Sequence, residues 1–227
     1  MDEPVLPQLP VEANAEVLSV DWLFEPFWPG TRMLARVAGG QVHLTDEFGE
    51  PMTDDEVGDA PAILAAAVLA GSALVDGVWS AQPFVGDGSP ARIWAQTLEA
   101  DGLAGEIPDP HEVERRRAFV AVDLVELDGE PLVDVPFQER RRLLESVIDQ
   151  GIRVRVSPLV KQPVAGWMAG WQANGFTHYV AKHMNSHYRP GDSTDDWLKL
   201  SLRDWAPRSF IAHMLGGRGD RVRRIKD

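Results

Sequence analysis

The chain has 227 residues, no cysteine and a formal net charge of −13. That length suits one sizeable domain with a full core, the missing thiols exclude disulfides and thiolate metal sites, and no apolar run approaches the ~18 residues that span a bilayer. An acidic body repels a phosphate backbone, so strong DNA binding is not expected, and an acidic, Pro-rich start in place of a secretory signal sets the expectation of a cytoplasmic protein without membrane contact.

Charge is unevenly placed: residues 1–60 carry thirteen acids against Arg32 and Arg36 alone, whereas the end, "GGRGDRVRRIKD", is basic. Residues 1–20 read as an acidic, Pro-rich arm with no apolar period, and residues 211–227 as a basic, solvated tail. The segment "TRMLARVAGGQVHLTDEFG" predicts a hairpin turning at Gly39-Gly40. "APAILAAAVLAGSALVDG" predicts an Ala- and Leu-rich helix ending near Gly71 and a strand entering Asp76-Gly77. Residues 86–110, rich in Gly, Pro and Asp, are expected to form a loop.

"RRAFVAVDLVELDGEPL" is an apolar strand entering a tight turn at Asp128-Gly129. In "PFQERRRLLESVIDQG" a helix is expected from Pro136 to Gly151, with Phe137, Leu143, Leu144, Val147 and Ile148 on its apolar stripe. Its arginines Arg140, Arg141 and Arg142 read as a solvated face paired with Glu139 or Glu145. "IRVRVSPLV" follows as a strand, "VAGWMAGWQANG" as a helix, and "THYVAKHM" and "DWLKLSL" as strands. His178 and His183 face opposite sides of an extended strand, so His178, His183 and His187 do not make a metal site. The order predicts an α+β domain of two antiparallel-rich sheets with flanking helices.

Several stretches carry a resemblance in collinear order over residues 21–203. "EPFWPGTRMLARV" resembles the nucleophile motif of the adenylation domain of ATP-dependent DNA ligases, and "ALVDGVWSAQ" the L-D-G-E strand. "VAVDLVELDGEPLVDVPFQERRRLLESVI" is similar to the family's strand, turn and L-x-x-R-R-x-L-L helix. "GFTHYVAKHMNSHYRPGDSTDDWLKLSL" resembles the run from E-G-V-V-A-K through S-x-Y-x-P-G to W-L-K-x-K. The resemblance implies an ATP-grasp-like nucleotidyltransferase fold over residues 21–210, with ATP between two sheets. It implies chemistry in which a lysine attacks the α-phosphate and becomes AMP-bearing. An OB-fold domain follows in that family, and none is expected here.

Against that pattern the chain departs at the chemical positions. Phe27 stands in the place of the lysine, Pro29 in that of an aspartate, Val78 and Thr177 in those of two glutamates, Val122 in that of an adenine-stacking aromatic, Glu47 in that of an arginine, and Ser201 in that of the second lysine of W-L-K-x-K. Gly30, Arg32, Asp76-Gly77, Asp123, Lys182, Trp197 and Lys199 persist. Gly30 and Gly77 are expected to serve turns and Trp197 the core. A degenerate adenylation domain is therefore expected, with no catalytic residue and no metal ligands. Glu25, Arg32, Lys182 and Lys199 remain to bind ATP or AMP, and a DNA-repair protein is the candidate partner. The alternative is an active nucleotidyltransferase with a relocated nucleophile, one of Lys161, Lys182, Lys199 and Lys226.

Overall fold

A computed structural model describes residues 5–14, 17, 19–81, 117–151 and 153–203; the expected loop at 86–110 and the basic tail lie outside them. Within the described residues the chain builds two sheets. β1 (Val11–Glu12), β2 (Trp22–Pro26), β9 (His178–His183) and β10 (Trp197–Ser201) form a four-stranded sheet in the order β1-β10-β9-β2. β3 (Thr31–Ala38), β4 (Gln41–Asp46), β5 (Ser72–Ala81), β6 (Arg117–Leu127) and β7 (Glu130–Pro131) form the second in the order β4-β3-β5-β6-β7, and β8 (Val154–Val156) joins it by pairing with β6. All pairings are antiparallel except β1 with β10 and β6 with β8. This is the expected α+β architecture, with both predicted hairpin turns in place.

Among the described residues four helices flank the sheets: α1 (Asp54–Val57), α2 (Ala60–Ala67), α3 (Phe137–Val147) and α4 (Ala165–Ala173). Helix α2 stops at Ala67, short of Gly71, because Val68 turns extended and makes a β-bridge to Ile148 just past α3. One apolar core joins Leu64 of α2 and Leu144 of α3 to Met33, Ala35, Val75 and Phe119 of the six-stranded sheet. A second joins Met168 and Trp171 of α4 to Phe24, Ala181 and Leu198 of the four-stranded sheet, and also takes in Val78, Val120 and Val122. A third links Leu34, Leu74 and Val125 of one sheet to Tyr188 and Trp197. Period-two alternation accounts for this: Met33 and Ala35 face one core, while Arg32 and Leu34 face the other sheet.

Two features of β5 and β6 position the site. Register shifts between Leu74 and Val75 and between Asp76 and Gly77 leave Val125 and Val122 of β6 as extra residues. Bulged residues drop out of the ladder, which frees the Val122 carbonyl for another donor. Asp76-Gly77 lies inside the strand, not at a turn, and Gly77 has the Phe119 ring directly over it. Gly77 is therefore kept by packing, a correction to the turn expected from sequence. Gly30 does serve the β2-β3 connection, at φ 146°, with the Trp79 carbonyl where a Cβ would stand.

Gly77→Ala is expected to overpack this site and destabilise the domain by about 1–3 kcal/mol. Urea unfolding of the variant beside the unaltered chain measures it, and Gly77→Ala combined with Phe119→Leu should recover part of the loss.

Candidate functional site

The four candidate residues come from four strands: Glu25 from β2, Arg32 from β3, Lys182 from β9 and Lys199 from β10. Antiparallel register sets Leu23 opposite Lys182 and Glu25 opposite Val180, so Glu25 and Lys182 share one face of the sheet. The Lys182 Nζ lies 2.7 Å from Glu25 Oε1 and donates to the bulged Val122 carbonyl at 3.1 Å. It also sits 3.9 Å from the Trp197 ring centroid and 4.8 Å from that of Phe137. Lys182 is 1% exposed, which excludes snorkelling to solvent. Burial pushes its pKa down, and the charges of Glu25 and Asp123 oppose that. An ammonium has three donors, and here it is enclosed by a carboxylate, a carbonyl and two rings.

Arg32 is equally committed. Its Nε and Nη2 grip Asp76 at 2.6 and 2.7 Å, the two-pronged geometry that suits guanidinium and carboxylate. Tyr188 Oη donates to the same Asp76 at 2.8 Å, the Gln8 amide donates to Tyr188 Oη at 3.0 Å, and Arg32 Nη2 reaches back to the Gln8 carbonyl at 3.5 Å. This closed ring ties the N-terminal arm to both sheets, with Gln8 fully buried. Burial pushes the Asp76 carboxyl up, against the opposing pull of Arg32. Next to it across the ladder, Asp123 is held by Arg140 Nε and Nη2 at 2.9 and 2.8 Å. Adjacent carboxylates on paired strands repel, and each is neutralised by its own arginine.

The helix arginines correct the sequence reading. Arg140 is fully buried and Arg141 is 5% exposed, so the α3 stripe is Phe137, Arg140, Arg141 and Leu144. Only Arg142 keeps to the surface, paired with Glu139. The signal was present: given Phe137 and Leu144 seven apart on a buried stripe, positions three and four beyond Phe137 share it. Arg141 Nε pairs with Glu145, Nη2 donates to the Ser157 carbonyl, and Nη1 stands 3.9 Å from Glu25 Oε2. Neither of those last two atoms has a hydrogen-bond partner.

Phe27 is partly buried at the end of β2, its amide donating to the His178 carbonyl at 3.0 Å. Lys199 Nζ stands 4.4 Å from its ring centroid, and the His178 ring meets it edge-on at 6.3 Å. The same Nζ is 3.0 Å from Glu12 of β1, whose strand pairs with β10 at that residue. Lys199 thus lies apart from the Glu25–Lys182 pair, over the Phe27 ring. Val78 and Val122 are buried in apolar packing and Thr177 is exposed. Glu25, Asp76 and Asp123 are all engaged in ion pairs, and among the described residues no group of three His, Asp or Glu could hold a metal. Trp197, as expected, is core, at 1% exposure.

The profile of the ATP dependent DNA ligase domain matches residues 10–201, and the chain belongs to that family. A probable DNA ligase of Sorangium cellulosum is 28% identical over 217 residues, 87% of this chain and 37% of that protein. The multifunctional non-homologous end joining protein LigD of Mycobacterium bovis is 28% identical over 186 residues, 78% of this chain and 21% of its own. In structure, the ligase domain of Mycobacterium tuberculosis LigD superposes with a TM-score of 0.61 at 26% identity, covering 86% of this chain and 58% of that one. A mycobacterial DNA ligase D complexed with ATP and MES gives 0.62 at 25% identity, covering 87% and 60%. The chain therefore spans well under half the length of these two relatives and about three fifths of the solved ligase domains.

Arg140→Met strands a buried Asp123 carboxylate and should destabilise the domain by about 3–5 kcal/mol, read as a lowered urea midpoint; Arg142→Met, at the surface, should leave that midpoint nearly unchanged. The hydrogen bond and charge of Lys199 hold the Glu12 carboxyl below its ordinary 4.5. The tether this gives the arm is present above that value and is lost as acid carries the pH down through the lowered one. An NMR titration should find the Glu12 midpoint below 4.5 in the unaltered chain and restored in Lys199→Ala.

Proposed function

We propose that this chain is a ligase-family adenylation domain that keeps an adenine-nucleotide site without forming a lysine-AMP intermediate. The observation that carries the reading is Phe27 in the nucleophile position: a phenyl ring has no lone pair to attack phosphorus. Lys182, the nearest buried amine to Glu25, is engaged by Glu25, the Val122 carbonyl and two rings. The carboxylates do not fit a divalent metal, being engaged by Arg32, Arg140 and Lys182. What remains suited to a nucleotide is a buried Glu25 oxygen that accepts no hydrogen bond and the partly exposed cation of Lys199. Relatives named for non-homologous end joining support a setting in DNA-break repair, in which this domain works beside a catalytically complete ligase.

A second reading has one observation in its favour. Lys199 Nζ stands 4.4 Å from the Phe27 ring centroid, beside the position of the missing nucleophile. Its attack on the α-phosphorus of ATP would form a P–N bond and expel pyrophosphate, after the ammonium has given up a proton.

Incubation with ATP labelled at the α-phosphate, with and without magnesium, separates the two. The first reading expects no covalent label and a raised thermal midpoint with ATP or AMP, since a ligand that binds only the native state stabilises it. A stable label that disappears in Lys199→Ala establishes the second. No midpoint shift with either nucleotide removes the nucleotide site from the proposal.

A further inference from the structure

Helix α4 contains no charged residue. Met168 and Trp171 face the core it shares with the four-stranded sheet. Its other side is open: Ala165, Gly166, Trp167, Ala169 and Ala173 are exposed, with Gln172 the one polar side chain beside them. Trp167 is 49% exposed, its ring centroid 6.4 Å from that of Trp171. A Cβ added at Gly166 or Gly170 would meet no described atom within 4 Å. A helix that is apolar all round is normally a covered one, and its glycines, four residues apart on the open side, let a second backbone approach closely.

The described chain ends beside this helix. The Leu202 amide donates to the Thr177 carbonyl at 2.9 Å, which sets Arg203, the last described residue, next to the loop that follows the C-terminal end of α4. From there the sequence continues "DWAPRSFIAHMLGG". Phe210, Ile211, Met214 and Leu215 recur at i, i+1, i+4 and i+5, one face of a helix, with Pro207 at its start and Gly216 past its end. Residues 207–215 equal α4 in length, and residues 204–206, which span at most about 10 Å, suffice to turn the chain back along it. We propose that residues 204–215 fold back antiparallel on α4 and cover Trp167, their apolar side lying against Gly166, Ala169 and Gly170. A second copy of the chain fits this face less well: each copy carries a net charge of −13, and a neutral face offers nothing to offset that repulsion. Docked in this way, the segment ends near the N-terminal end of α4, and the basic stretch from Arg218 to Lys226 leaves from there instead of from β10.

Because the chain lacks cysteine, one introduced pair reports on the contact without interference. In the full chain, Ala169→Cys with Ile211→Cys should close a disulfide within one molecule under mild oxidation, at least about 10-fold faster than Ala169→Cys with Lys226→Cys, since docking raises the effective concentration of the first pair. Separately, Phe210→Asp with Met214→Asp should speed hydrogen exchange of the α4 amides by about 10-fold or more and leave that of β3 unchanged. Disulfides formed only between molecules, or α4 protection that rises with protein concentration, overturn the proposal in favour of a second copy. Unchanged α4 exchange in the doubly substituted chain overturns it as well, because the face is then covered by another segment or by none. If Phe210→Asp with Met214→Asp does not fold, the crosslinking decides alone, and equal rates for the two cysteine pairs overturn the docking.

Discussion

The arrangement of the two sheets turns on one buried ammonium. Lys182 leaves β9 of the four-stranded sheet, pairs with Glu25 of β2 on the same sheet and donates to the Val122 carbonyl of the other. That carbonyl is free because β6 carries an extra residue there. The rings of Trp197 and Phe137 enclose the charge. Removing a charge from water is costly unless every partner is in place, so a lysine in this position demands a fixed distance between the sheets.

Around that contact lies a set of paired charges: Arg32 with Asp76, Arg140 with Asp123, and the ring through Tyr188 and Gln8. Buried pairs of this kind add little net stability over apolar packing, but loss of one member leaves the other stranded. This gives the ligase-like constellation a structural role independent of any reaction. Asp76, Asp123, Arg32 and Lys182 each hold another group in place whether or not a nucleotide arrives. Gly30 and Gly77 are likewise held by the Trp79 carbonyl and the Phe119 ring.

The fold was largely legible from local signals. The Gly39-Gly40 and Asp128-Gly129 turns, the apolar strands and the helix positions follow from turn chemistry and periodicity, and the family pattern supplied their assembly. The arginines of α3 show where local reasoning failed. Charge suggested solvent, whereas the helical spacing of Phe137 and Leu144 put Arg140 and Arg141 on the buried stripe. The arm shows a different failure: with no apolar period it read as extended chain, yet Gln8 is buried through hydrogen bonds to Tyr188, Thr194 and Arg189, all about 180 residues away. No sequence window contains both ends of such a contact.

The amino-acid sequence by itself determined which side chains stand in each motif, because side-chain identity is a local property: Phe27 carries no amine, and Val78 and Thr177 carry no carboxylate. It also determined the class of fold, through motifs spaced along one chain. Only the tertiary structure decided what the surviving charges do. Whether a lysine is an anion site or a structural cation depends on which partners lie within about 3 Å, and those partners come from other strands. Lys182 proved enclosed, Lys199 settled over Phe27, and Arg141 came to stand 3.9 Å from Glu25.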